Sequence, residues 1–346
     1  MSNAGDWGGA VHFDRGVGGS LLCIGCLFRQ NVSGGISFGG AVSGDGGTLT
    51  FVNTHFLGNR SRYGGGAISS REGSVVRLYN VALVGNRSGL EDGGALYSFS
   101  GGPFEAVGLT AYGNQSGDQG ERPGAVIWAR WGGNFFHNAV LWGNRGTRLA
   151  AGLGAVEVRR AIVEEGCAVP MTCEDIIDTG PLFAREPSPG PDNQWATGDD
   201  DYGDLRLQGG SPGLDFGLAS LLPPDRWDLD ADGDTLEALP VDMNSGPRVE
   251  GSEVDLGPYE GEANVANEPE PPASPLTLAV APNPARGAAA VTLTLARAAR
   301  VEVAVYDALG RRVAWLRDGV LAAGPHRFTL DRAGLPPGVY FVRAQG

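Results

Sequence analysis

Residues 78–86 read LYNVALVGN, and the same phrase recurs as CIGCLFRQN at 23–31, FVNTHFLGN at 51–59, AVGLTAYGN at 106–114 and FHNAVLWGN at 136–144. In every copy a small turn residue (Gly25, Asn53, Asn80, Gly108, Asn138) stands six places before a closing asparagine (Asn31, Asn59, Asn86, Asn114, Asn144). Upstream, each copy opens on Gly-Ala: Gly9-Ala10, Gly40-Ala41, Gly66-Ala67, Gly94-Ala95 and Gly124-Ala125. Spacing that is fixed within the phrase and variable outside it is the signature of a solenoid.

The apolar runs are short, rich in Val, Leu, Ile, Phe and Tyr, and bounded by Gly, Asn and Ser, which is strand punctuation rather than a helical period. With 57 glycines in 346 residues, helical repeats are excluded. The expected fold is all-β: a right-handed parallel β-helix, each coil holding about three short strands and coils stacking at about 4.8 Å. The closing asparagines are expected to adopt the left-handed conformation and to bond the next coil's backbone as a ladder. The Gly-Ala corners are expected to permit a tight bend. Residues 149–179 read as one or two further coils losing register.

The repeat resembles the coils of surface β-helix proteins related to the polymorphic outer membrane proteins, whose phrase is also a GGA corner followed by aromatic-x-x-Asn. After the coils, GPLF (180–183), DDDYGDLRL (199–207), GSPGLDFG (210–217) and VDLGPYEGE (254–262) resemble, in that order, the choice-of-anchor Q domain. That resemblance implies an end-piece that closes a β-helix and precedes a cell-surface anchor. From Leu276 onward apolar and polar residues alternate between Asn-Pro, Leu-Gly and Pro-Gly turns, which reads as a small antiparallel, Ig-like β-sandwich. Its PNPARG (282–287), VYDALGRRV (305–313) and GVYFVRAQG (338–346) resemble the C-terminal sorting domain of type IX secretion, the Por system. The resemblance implies export across the outer membrane by the type IX machinery, followed by anchoring at the surface. The family's wording continues with one more strand and a basic tail, so the domain reads as C-terminally truncated at Gly346.

The organisation expected is therefore coils over 1–179, an acidic end-piece over 180–262, a Pro-, Ala- and Glu-rich linker over 263–275, and the sandwich over 276–346. MSNAGDWGGAVHF at the start has neither a basic region nor an apolar core, so it does not read as a signal peptide. The chain opens inside a coil, which suggests missing earlier coils and an open strand ladder prone to end-to-end self-association. No run of 18 apolar residues is present to span a membrane.

Charge is uneven. The chain carries 26 Arg, no Lys and a formal charge of −14, and residues 174–270 hold 24 of its 40 acidic residues against four Arg. Such a segment repels nucleic acid and attracts cations. Within it, DLDADGDTLEALPVD (228–242) opens like a calcium loop, with Asp228, Asp230, Asp232 and Gly233 as D-x-D-x-D-G and Asp234 following. Alternating carboxylates converge on one hard cation. The twelfth position, a bidentate Glu in an EF-hand, is Leu239, so Glu237 or Asp242 has to complete the set. Asp199, Asp200, Asp201 and Asp204 form a second, weaker acidic candidate.

The cysteines do not form a zinc pattern. Cys167 and Cys173 suit a small disulfide loop, and Cys23 and Cys26, flanking the turn residue Gly25, read as a structural pair rather than a redox or metal site. The Asn-x-Ser sequons at Asn31, Asn59, Asn86 and Asn114 coincide with the corner position and read as corners, not glycan acceptors. A polysaccharide-active enzyme is the competing reading, since β-helices include pectate lyases. Yet the nine carboxylates of the coils do not recur at one strand position, and no catalytic residues are assigned. Arg60, Arg87 and Arg145 do recur after the asparagine, a row suited to solvent or to an anionic surface polysaccharide. Trp128, Trp131, Trp142 and Trp195 suit either packing or sugar stacking.

Overall fold

The computed structural model describes residues 4–5, 8–14, 19–34, 38–118, 120–261, 276–281, 288–295, 299–307, 311–330 and 340–345. The linker at 263–275 and PNPARG at 282–287 lie outside them. The chain divides into two compact units, Met1–Val265 and Ala266–Gly346.

The first unit is a parallel β-solenoid. Its principal sheet stacks Ser20–Ile24 with Leu27–Arg29, then Thr48–Leu57, Val75–Val84, Phe104–Tyr112, Asn134–Trp142, Val156–Val163 and Met171–Ile177 in chain order. A second sheet stacks short strands from Val11–Asp14 to Ala150–Gly152, and a third stacks two-residue strands from Ala4–Gly5 to Gln115–Ser116. Val76 pairs with Leu49 on one side and Phe104 on the other, steps of 27 and 28 residues. Residues 149–179 do continue the stack, through Ala150–Gly152, Val156–Val163 and Met171–Ile177.

The two apolar runs of each phrase form one bent strand in the central coils rather than two. The bend sits at the turn residue, where Gly25, Asn53, Asn80, Gly108 and Asn138 all have positive φ (+48° to +69°). Glycine and asparagine are the residues that tolerate this region. The bend also resets the two-residue alternation. Val76 and Leu78 point into the core before Asn80, Val81 and Leu83 after it, and Tyr79, Ala82 and Val84 face outward. Inside, Phe28 and Phe56 stack at 4.8 Å and Phe51 meets Phe56 edge-on at 5.1 Å.

The closing asparagines are not the left-handed residues. That conformation falls one place earlier, on Gln30, Gly58, Gly85, Gly113 and Gly143. Nor is the second glycine of the corner needed for its own backbone angle. A Cβ at Gly40, Gly66 or Gly94 would lie 2.0–2.3 Å from a carbonyl oxygen of the next coil, so close stacking demands it. In the fifth corner the register shifts by one. Ile127 pairs with Leu96, which places Gly124 opposite Gly93 and Ala125 opposite Gly94.

The acidic segment has little regular structure: an antiparallel pair, Phe183–Arg185 with Asp204–Leu207, and one 3-10 turn, Ala219–Leu221. It lies along the outer face of the principal sheet and covers both arms of the bend. Phe183, Trp195, Leu205, Leu207 and Leu256 pack on Ala82, Val84, Val140 and Ile162 of the second arm. Leu222, Trp227, Leu229 and Leu239 pack on Val52, Tyr79 and Val107 of the first. Trp195 lies against Gly85 and Gly113, where a Cβ would come within 2.5 and 2.8 Å of its ring. Burying these outward apolar residues is what ties an irregular segment to the sheet.

Among its described residues the second unit has two three-stranded antiparallel sheets. One orders Leu276–Ala281, Ala289–Leu295 and Gly324–Leu330; the other orders Arg312–Leu321, Ala299–Asp307 and Tyr340–Gln345. Val291, Leu293, Leu295, Val301 and Val303 form the core between them.

Candidate functional site

The five closing asparagines form a continuous ladder. Each of Asn31, Asn59, Asn86 and Asn114 donates its backbone N–H and its side-chain Nδ2 to the Oδ1 of the next asparagine, at 2.8–3.0 Å. From Asn59 onward Nδ2 also donates back to a carbonyl of the preceding coil, at Phe28, Phe56, Leu83 and Ala111. Asn59, Asn86 and Asn114 are fully buried. Their amide nitrogens are thus committed to the ladder and closed to a glycan.

The bend residues make a second polar line that the end-piece reads. Asn80 Nδ2 donates to Asn53 Oδ1 at 3.0 Å and to the Val241 carbonyl at 2.8 Å. Asn138 exchanges two hydrogen bonds with the backbone of Leu218. Arg248, whose side chain is wholly buried, donates Nε to Asn80 Oδ1 at 3.1 Å, Nη2 to the Gly257 and Asp255 carbonyls, and Nη1 to Glu260. Burial pushes the Glu260 carboxyl up to about 7, with Arg248 pulling the other way. Nothing in the sequence marks Arg248 as central. It is one of four arginines in an acidic tract, and its burial is decided by where the segment docks.

The acidic loop is closed at its base by Asp225 N–H to the Glu237 carbonyl and Leu239 N–H to the Pro223 carbonyl, both 2.8 Å. Carboxylate oxygens of Asp228, Asp230 and Asp232 lie within 4.8 Å of one another, as do those of Asp225, Asp230 and Glu237. Asp234 and Asp242 belong to neither group. Asp234 accepts from Leu236 N–H, while the buried Asp242 accepts from the backbone of Asn244, Gly246 and Glu260 and shapes the Arg248 pocket. Asp225 was not legible as a member of this acidic group because it precedes the motif. It is buried and accepts from Trp227 and Leu229 N–H. Leu239 stands where an EF-hand has Glu because it is 1% exposed against the sheet. Burial raises the Glu237 carboxyl, and the charges of Asp232, Asp230, Asp234 and Asp225 raise it further. Its Oε1 is buried without a hydrogen-bond partner.

The other acidic run is engaged by neighbours, with Asp200 Oδ1 buried and without a hydrogen-bond partner among the described residues. Asp201 pairs with Arg185, Asp204 with Arg206, Asp200 accepts from Tyr202 and Thr197, and Asp199 accepts from Thr197. Cys23–Cys26 and Cys167–Cys173 are both disulfides with Cα atoms 6.0 Å apart. Trp128 stacks on Tyr97 at 4.9 Å, Trp142 packs under the end-piece, Trp195 is the end-piece's own residue against the sheet, and Trp131 is exposed beside Arg130. Arg60 and Arg87 are in register and share Asp118.

In the second unit, the six strands among the described residues and their alternating core make a small sandwich. Residues 279–346 match the secretion system C-terminal sorting domain family. A sorting domain of this kind implies interaction with the type IX secretion machinery and places the protein outside the cell, at its surface. No curated protein and no solved structure matches the chain. Among the described residues no helix is long and apolar enough to cross a membrane.

Proposed function

We propose that this is an outer-membrane-anchored surface protein whose solenoid serves a structural or adhesive role, with the sorting domain as its export signal. The match of residues 279–346 to the sorting-domain family carries the reading. It is supported by a rod whose polar groups are largely engaged in holding coils together and in clasping the end-piece. An end-piece between a solenoid and a sorting domain also suits the choice-of-anchor resemblance. Expressed behind an inner-membrane signal peptide in a type IX-competent bacterium, the chain should become accessible to external protease, and loss of the machinery should trap it inside. Equal accessibility in both strains would overturn the export reading. Loss of cell adherence on deletion of the gene, with export of other cargo intact, tests the adhesive role.

We also propose that Asp228, Asp230 and Asp232, with Glu237 and Asp225 beside them, hold a structural calcium ion. Their oxygen donors suit a hard cation, and the orphaned Glu237 Oε1 amid like charges suits a cation as its missing partner. Calcium at about 100 times its Kd should stabilise the first unit by about 2.7 kcal/mol. Thermal melts should show this for the native chain and not for Asp230→Ala with Asp232→Ala. A melting temperature indifferent to millimolar calcium would reduce the loop to a hydrated acidic turn.

A further inference from the structure

At the end of the second sheet, Ser70, Ser98, Ala129 and Gly152 stand in register on four successive coils. The residues one place further on, Arg71, Phe99, Arg130 and Leu153, therefore make the next row. Its two cations differ. Arg71 pairs in register with Asp45 of the preceding coil, whose carboxylate lies 3.8 Å from its guanidinium. Arg130 lies instead over two ring faces, its guanidinium carbon 4.8 Å from the Phe99 centroid and 5.5 Å from that of Trp131. Among the described residues its side chain makes no hydrogen bond and no ion pair. The rings around it are anchored from behind. Phe99 lies nearly parallel to Trp128, at 6.3 Å and 10°, and Trp128 stacks on the buried Tyr97. On the outside, Phe99 is 44% exposed and Trp131 57%.

We propose that Arg130 and Trp131 bind an acidic sugar residue of a polysaccharide, the guanidinium holding its carboxylate and the indole packing on its C–H face. Stacking on ring faces leaves the N–H donors of the guanidinium free at its edge and restrains the side chain before a ligand arrives. That planar fork matches a carboxylate in geometry and charge. The exposed indole supplies a rigid, flat apolar face with a polar handle, which suits a pyranose better than a flexible acyl chain. The site is an open ledge, not a cavity. Enclosure is what a small free acid needs, whereas an open ledge admits one unit of a long chain passing over the surface. The idea deepens the adhesive reading and rests on it for its setting. Binding is measured on the purified full chain, so its failure is distinct from a failure of export or of adherence.

The test is calorimetric titration with a galacturonate trisaccharide, a neutral glucose trisaccharide and vesicles of anionic phospholipid. Saturable binding of the uronate alone is expected, weakening as salt is raised. Arg130→Gln should weaken it by about tenfold or more, and Trp131→Ala by about fivefold. Both side chains are at least partly exposed, and the melting temperatures of the variants separate loss of binding from loss of fold. No saturable binding at millimolar uronate, equal binding of the neutral sugar, binding of the vesicles in place of the uronate, or unchanged affinity in the folded variants would each overturn the proposal.

Discussion

Arg248→Met is expected to destabilise the first unit by about 3–5 kcal/mol, the usual consequence of removing one partner of a buried ion pair. The side chain is wholly buried and serves Asn80, Glu260 and two carbonyls, so truncation takes a partner from all four at once and leaves Glu260 without its counter-charge. Asn80 belongs to the solenoid and Glu260 to the last turn of the end-piece. Chemical denaturation should therefore show the end-piece peeling from the sheet, read by Trp195 and Trp227 fluorescence, before the coils melt. The penalty should also depend on pH. Arg248 is what lowers the Glu260 carboxyl against the burial that raises it. Without Arg248 the folded-state pKa rises further above its unfolded value. A raised carboxyl contributes stability below its unfolded pKa and loses it as pH climbs through the folded one. The variant should hence lag the native protein more at pH 8.5 than at pH 5 (both about one to two units from the native pKa of about 7). A penalty below about 1 kcal/mol, or one that shrinks with rising pH, would show that Arg248 does not hold the clasp.

Asn86→Ala is expected to cost about 3–5 kcal/mol, because a mid-ladder asparagine serves both neighbours. Its Oδ1 accepts from Asn59 N–H and Nδ2, and its Nδ2 donates to Asn114 Oδ1 and to the Phe56 carbonyl. All of these groups are shut away from water, so water cannot replace the lost partner. Asn31→Ala, at the first rung, should cost only about 1 kcal/mol, since its side chain makes a single ladder bond, to Asn59. Equal effects at the two positions, measured by urea denaturation, would count against a ladder whose strength comes from its continuity.

Much of the solenoid is legible in the one repeated phrase. A period of 27–28 residues, alternation of apolar residues and a recurring asparagine are local properties of the chain, and stacking of identical rungs follows from them. The sorting sandwich is legible for the same reason, because its strands alternate and its motifs stand in order. What local pattern does not show is phase and partnership. LYNVALVGN looks like two strands and a turn, yet Asn80 only bends one strand, because neighbouring coils bend at the same place and keep the ladder intact. The second corner glycine looks like a turn residue, yet what demands it is the carbonyl of another coil.

The carboxylates make the same division. Asp228, Asp230 and Asp232 converge through their own spacing, which three residues of sequence already dictate. Asp225 joins and Asp242 leaves only because the loop docks on Val52, Tyr79 and Val107. Arg248 becomes a wholly buried charge for a reason that lies about 170 residues away, at Asn80. Periodic elements and short motifs depend on neighbours in the chain, so the sequence alone determined the rod, the export module and the acidic loop. The clasp of the end-piece along the sheet, and the corner where Arg60 and Arg87 share Asp118, depend on contacts between residues far apart in sequence. Only tertiary packing decides those, because burial and hydrogen bonding act on distance in space.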